Sequence, residues 1–151
     1  VPDLRRAVVN GPLASVLVGP RLRGRAMQAL GWSVRGARIS PGCFFGGPRL
    51  TIGRGSFVNT GCFFDGGDAI ELGEQVYLAM GVRIVTSSHD LGPSTRRAGR
   101  VSAAPVRVGE GAWIGAGAIL LPGVSVGAGL SSRPAPWSPA FSPPTASTPG
   151  F

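Results

Sequence analysis

Lysine does not occur in this 151-residue chain, and histidine occurs once, at position 89. A single imidazole excludes a metal centre built on three histidines. The two cysteines, Cys43 and Cys62, are too few for a disulfide framework and lack the spacing of a metal-binding motif. No stretch approaches the ~18 apolar residues of a membrane span. The N-terminal "VPDLRRAVVNGPLASVLVGPRLRGRAMQALG" has the charge-then-apolar order of a leader, but Gly19 and Pro20 break its apolar run. It reads as short helices with a cationic face, in a cytoplasmic protein. With lysine absent, arginine carries all 15 positive charges against seven acidic residues, for a net charge of +8. These arginines are scattered rather than forming a stripe interleaved with aromatics, which argues against a nucleic-acid partner. A chain rich in Ala, Gly, Pro and Arg with no lysine also implies GC-rich codons.

What is abundant is glycine, at 25 residues, in a chain that is 43% hydrophobic. That composition describes one ordered, turn-rich domain. A six-residue period runs through "IGRGSFVNTGCFF", "LGEQVYLAMGVRIVTSSH" and "VGEGAWIGAGAILLPGVSVG", with aliphatic or aromatic residues at 52, 58, 64, 72, 78, 84, 108, 114, 120 and 126. The fifth place of each hexad is small or β-branched: Ser56, Cys62, Val76, Val82, Ser88, Ala112, Ala118 and Val124. Neither a 3.6-residue nor a two-residue period fits these positions. Two inward places in six, separated by a turn former, describe a short strand and a corner, and three such units close a triangular coil. The fold class expected is all-β, a parallel β-helix whose stacked coils share one core. Cys43 and Cys62 take the small inward place, as free core thiols.

The period is interrupted twice. Eight residues separate Phe64 from Leu72, a small bulge at a corner. Between Ile84 and Val108, "HDLGPSTRRAGRVSAAP" carries no pattern, so residues 90–104 are expected to loop out of the solenoid with His89 at the root. Such excursions from a regular scaffold are where function concentrates. The domain organisation expected is a helical segment over 1–33, the β-helix over 34–129 and a disordered Pro/Ser-rich tail over 130–151.

"IGRGSFVNTGCFFDG", "VRIVTSSHDLGPSTRRAG" and "VGEGAWIGAGAILLPGVSVG" together resemble the hexapeptide-repeat O-acetyltransferases, the maltose, galactoside and nodulation-factor group. The resemblance covers roughly residues 34–129. It implies a left-handed coil, against the usual right-handed crossover rule. It also implies a homotrimer with acetyl-CoA as acyl donor in clefts between subunits, and a sugar or glycan hydroxyl as acceptor. His89 becomes the general base that takes the acceptor's proton. The backbone N–H of Ala116, just after "WIG", becomes the donor to the tetrahedral oxyanion, with Trp113 beside the cofactor. Asn59 in "FVNTG" and Asp65 in "FFDG" become the acceptor-binding pair. No metal is implied, and a γ-type carbonic anhydrase, another hexapeptide-helix enzyme, is excluded by the lone histidine. Other readings of the same residues stand beside these. Asn59 sits at a corner, where asparagine also serves left-handed backbone geometry, and Asp65 before two glycines is also a turn former. Arg96 and Arg97 solvate the loop more readily than they meet CoA phosphates. The alternative for the whole chain is an inactive or scaffolding β-solenoid.

That alternative arises from the tail. After "VSVGAG" the period stops, where the resemblance implies a further coil with an "AAGAVVT" type of motif and an "AGVPA" type of ending. Arg133–Pro139, read two bases out of frame with suitable codons, gives Ala-Gly-Ala-Val-Val-Thr. Thr145–Phe151 in the same frame gives Gly-Leu-Tyr-Ala-Gly-Val. The tail is therefore expected to be a frameshifted reading of an ordinary coil, with the break near Gly129–Ser131.

Overall fold

A computed structural model of the chain describes residues 3–132. From Ser33 onward the backbone winds as a three-faced prism of strands two or three residues long. The first face stacks Ser33–Val34, Leu50–Ile52, Ile70–Leu72, Val106–Val108 and Ser125–Val126. The second stacks Arg38–Ile39, Phe57–Val58, Tyr77–Leu78, Trp113–Ile114 and Ser131–Ser132. The third stacks Phe44–Phe45, Phe63–Phe64, Arg83–Ile84 and Ile119–Leu120. All pairings within the faces are parallel and in register, so inward residues sit on inward residues. Val34, Ile52, Leu72, Val108 and Val126 form one column. Ile39, Val58, Leu78 and Ile114 form the next, and Phe45, Phe64, Ile84 and Leu120 the third.

This is the expected parallel β-helix, and the hexad explains it residue by residue. Of each strand pair one side chain is buried and its neighbour faces outward. The fifth hexad place fills the prism's corners: Ser56, Cys62, Val76, Val82 and Ala112 are buried. Ser56 is tolerated there because its hydroxyl donates to Gly73 O and accepts from Val76 N–H, both at 3.0 Å. Ser88, expected inward at the same place, is exposed; Thr86 is buried instead, because the chain leaves the coil after it. The corners turn through a left-handed residue, glycine at Gly55 and Gly111 (φ +73° and +70°). In the intervening coil that place is held by Gln75, the one non-glycine residue with positive φ among the described residues.

Helices α1 (Leu4–Asn10) and α2 (Pro20–Ala29) close the lower end. The Asn10 carboxamide donates to Phe45 O at 2.9 Å and accepts from Phe45 N–H at 2.8 Å, which satisfies an otherwise open strand edge. Gly24 lets α2 approach the first coil, since a Cβ there would meet Ala37 O at 2.2 Å. The helices' cationic face is not wholly solvated. Arg23 is 1% exposed and donates to the carbonyls of Leu13, Ile39, Ser15 and Val18, stapling the connecting segment beneath the prism.

Two boundaries differ from expectation. The excursion is not an irregular loop over 90–104 but an antiparallel hairpin, Ser87–Leu91 with Ala98–Ala103, turning through Pro93–Arg96. The register also continues past residue 129: Ser131–Ser132 pairs in parallel with Trp113–Ile114 rather than belonging to a disordered tail. The rest of the tail, with its expected frameshift, lies outside the described residues. No helix among the described residues is long and apolar enough to cross a membrane.

Candidate active site

His89 is carried within the first strand of the hairpin, opposite Val101, and its ring is exposed. Its Nδ1 lies 3.0 Å from the Gly99 carbonyl oxygen. A carbonyl oxygen only accepts, so Nδ1 carries the proton, and in the neutral ring Nε2 keeps its lone pair. Gly99 is required for this closeness, since a Cβ there would come within 2.7 Å of Asp90 O across the hairpin. The Arg100–Asp90 ion pair on the same arm, at 3.4 Å, is solvent-exposed and adds little.

The root of the arm is held by Asp65. Its Oδ2 accepts from Thr86 N–H (3.1 Å), Thr86 Oγ1–H (3.1 Å) and Ser87 N–H (2.8 Å), and its Oδ1 accepts from Gly66 N–H (2.8 Å). The Thr86 hydroxyl in turn accepts from Asp68 N–H at 3.0 Å. Partial burial alone would raise the Asp65 pKa, but the donors from Ser87, Gly66 and Thr86 outweigh it and hold the carboxyl at about 2. This carboxylate ties the last residue of the regular coil to the first of the arm, two positions before His89. Oδ2 is saturated, and only Oδ1 has room for another donor.

Asp65→Asn replaces one acceptor oxygen by an amide that cannot accept, leaving main-chain donors unpaired at a cost of roughly 1–3 kcal/mol. A folded-state pKa below the ordinary carboxylate value means the stabilisation is complete above pH ~4 and lost as pH falls towards 2. Acid unfolding followed by circular dichroism is expected to show this component in the parent chain and not in Asp65→Asn. Identical acid profiles would remove the carboxylate from the arm's support.

The remaining expected site residues lie elsewhere on the prism. Asn59 stands at the corner between the second and third faces, while Asp65 and the arm stand at the corner between the third and first; the strand Phe63–Phe64 separates them. Asn59 has no left-handed backbone, and its Oδ1 accepts from Thr60 N–H at 2.8 Å. Ala116 lies at the same corner two coils higher, above Thr60 rather than Asn59: Val58, Leu78 and Ile114 stack in register, so Asn59 falls in line with Ala79 and Gly115, and Thr60 with Met80 and Ala116. Ala116 is exposed, and no acceptor meets its N–H among the described residues, whereas the next N–H, of Gly117, donates to Met80 O at 3.0 Å. Trp113 lies on the outer side of the second face, above Tyr77. One chain therefore joins Asp65 with His89, and Asn59 with Ala116, but holds the two pairs on different edges. Thr86, Ser87 and Gly99 were not singled out from the sequence. Thr86 falls two places after Ile84, at neither inward place of the hexad, and nothing in its neighbours marks its hydroxyl as buried. Arg96 and Arg97 are exposed on the arm, as expected.

No protein-family model matches the sequence. Among curated proteins, the chain is 42% identical over 57 residues to nodulation protein L of Rhizobium leguminosarum bv. viciae, covering 38% of this chain and 30% of that one. It is 34% identical over 83 residues to the galactoside O-acetyltransferase of Lactococcus lactis, covering 55% and 40%. Among solved structures, a hexapeptide-repeat acetyltransferase of Vibrio cholerae, complexed with acetyl coenzyme A, superposes with a TM-score of 0.60 at 24% identity, over 85% of this chain and 73% of that one. A maltose O-acetyltransferase of Clostridium difficile gives 0.50 at 32% identity, over 66% and 55%. The matched segment thus spans less than half of each of these curated relatives. The resemblance expected from the motifs is the one found, and the fold is that of the left-handed hexapeptide-repeat β-helix.

Proposed function

We propose that the chain is an acetyl-CoA-dependent O-acetyltransferase that moves an acetyl group to a hydroxyl of a sugar or glycan. The observation that carries this reading is the imidazole of His89. It is exposed on an arm outside the solenoid, its Nδ1–H is fixed by the Gly99 carbonyl, and its Nε2 is free to take a proton. An alcohol is a poor nucleophile at neutral pH, and a positioned imidazole that removes its proton as the C–O bond forms lowers that barrier. The unpaired N–H of Ala116 suits the oxyanion that develops when the thioester carbonyl is attacked. Asn59 would hold the acceptor and Trp113 the cofactor. Asp65 would chiefly position the arm, with Oδ1 available to an acceptor hydroxyl.

The acting form on this reading is a homotrimer. Asn59 and Ala116 lie on one edge and His89 on another, so a complete site needs edges from two copies. Most outward side chains of the second and third faces are apolar, with Tyr77, Trp113, Phe44, Phe63 and Ile119 exposed there beside Arg83 and the half-buried Arg38. The first face carries Thr51, Glu71, Arg107 and Ser125 outside. That asymmetry supports burial of two faces against other copies. Free Cys43 and Cys62 and the use of acetyl-CoA fit a cytoplasmic location.

The test measures release of free CoA thiol and acetylation of a panel of mono- and oligosaccharides by mass spectrometry. It uses the chain as it stands and the chain carrying the gene's two-base-displaced frame from Gly129–Ser131. Transfer is expected in the displaced-frame protein, with weak or no acetyl-CoA binding in the other. Full activity in both would end the frameshift reading, and transfer in neither would end the transferase reading.

A further inference from the structure

Cys43 and Cys62 are both buried and free, and they occupy the same place in successive coils: the residues that follow them, Phe44 and Phe63, are paired in parallel register. Parallel neighbours lie about 4.8 Å apart, within the ~4.4–6.8 Å separation that a disulfide spans between Cα atoms. The two thiols lie close enough to shift each other's acidity in opposite directions. Each also reaches the corner carbonyl of the coil above, Cys43 Sγ to Asn59 O at 3.2 Å and Cys62 Sγ to Ala79 O at 3.3 Å. Both stand one residue from an exposed turn glycine, Gly42 and Gly61, so the pair is shallow although covered.

We propose that Cys43 and Cys62 form a peroxide-reactive dithiol that closes into a disulfide between successive coils. The sulfur of Cys43 attacks one peroxide oxygen, giving a sulfenic acid and releasing water; the thiol of Cys62 then displaces the sulfenic oxygen as a second water. Two electrons pass from the two thiols to the peroxide, and both thiol protons leave in the water formed. Cys43 is the attacking partner. The neighbouring Cys62 thiol lowers its pKa against the opposing effect of burial, and the guanidinium charge of Arg23 lowers it further. The same contact and burial push Cys62 up. Closure removes the S–H donor from Asn59 O, so the modification acts on the corner that carries Asn59. Thiol–disulfide exchange with a small dithiol reverses the closure.

The experiment treats the folded chain with hydrogen peroxide and maps tryptic peptides without reduction. The expected product is an intramolecular link between peptides 39–49 and 55–83, lighter by two hydrogens than the sum of the two and released by dithiothreitol. In Cys62→Ser, Cys43 is expected to stop at a sulfenic acid that dimedone captures, whereas Cys43→Ser is expected to give little capture at Cys62. Should either variant fail to fold, the mapping of the parent chain decides alone. Unmodified thiols, sulfinic or sulfonic acids without a link, or links only between separate chains would each overturn the proposal.

Discussion

Ile114→Asp is expected to abolish the cooperative unfolding transition of the domain. Ile114 is fully buried on the inner side of the second face, stacked on Leu78. Removing its side chain from the core loses about 1.5–3 kcal/mol of apolar burial. Placing a carboxyl there adds several kcal/mol more, since the one buried cation among the described residues, Arg23, is held by carbonyls beneath the prism. The sum is comparable to the whole stability of an ordinary domain, about 5–15 kcal/mol. In a solenoid the loss spreads, because each coil is stabilised only by the coils above and below it. Its neighbour provides the control. Trp113 faces outward and is 45% exposed, so Trp113→Asp is expected to leave the far-ultraviolet spectrum of the coil nearly unchanged and to act on association between copies instead. A soluble Ile114→Asp protein that still melts cooperatively would mean the register is wrong.

That pair of neighbours shows why the coil was legible in the sequence. Burial in a β-helix is decided by place within the hexad, so Ile52, Val58, Leu72, Leu78, Ile84, Val108, Ile114 and Leu120 repeat one constraint and all lie inside. The arm obeys no such constraint. Neither strand of the hairpin buries a face against the prism, so Ser87–Leu91 and Ala98–Ala103 alternate with nothing and read as a loop. Ser88 kept the hexad spacing but not the inward place, because the chain had already left the coil at Thr86. Arg23 was hidden for a different reason. Its partners are main-chain carbonyls, which carry no residue identity, so a buried guanidinium looks in the sequence like one more surface charge. The same holds for half of the site. Asp65 was legible as a carboxylate near the excursion, but its donors are mostly backbone amides of Gly66, Thr86 and Ser87. The separation of Asn59 and Ala116 from His89 by one face of the prism follows from the winding of the coil and from no local motif.

Because the tautomer of His89 is set by one main-chain carbonyl, positioning and proton transfer can be separated at this residue. His89→Ala removes both, and in a form of the chain that transfers acetyl groups it is expected to lower kcat roughly 10²–10⁴-fold. His89→Asn separates them. Its amide nitrogen can donate to Gly99 O much as Nδ1–H does, keeping the contact across the hairpin, but it offers no lone pair of imidazole basicity to the acceptor hydroxyl. Its kcat is therefore expected to fall about as far as that of His89→Ala, within the same roughly 10²–10⁴ range. Acetyl-CoA affinity, measured by calorimetry without acceptor, is expected to stay within about twofold in both variants, because the base acts on the alcohol rather than on the nucleotide. If asparagine restores most of the turnover, the imidazole only holds the arm in place and the base lies elsewhere. If affinity for acetyl-CoA falls along with kcat, His89 belongs to the donor side of the site. Only a loss of kcat in both variants, with donor binding intact, leaves His89 as the group that takes the proton.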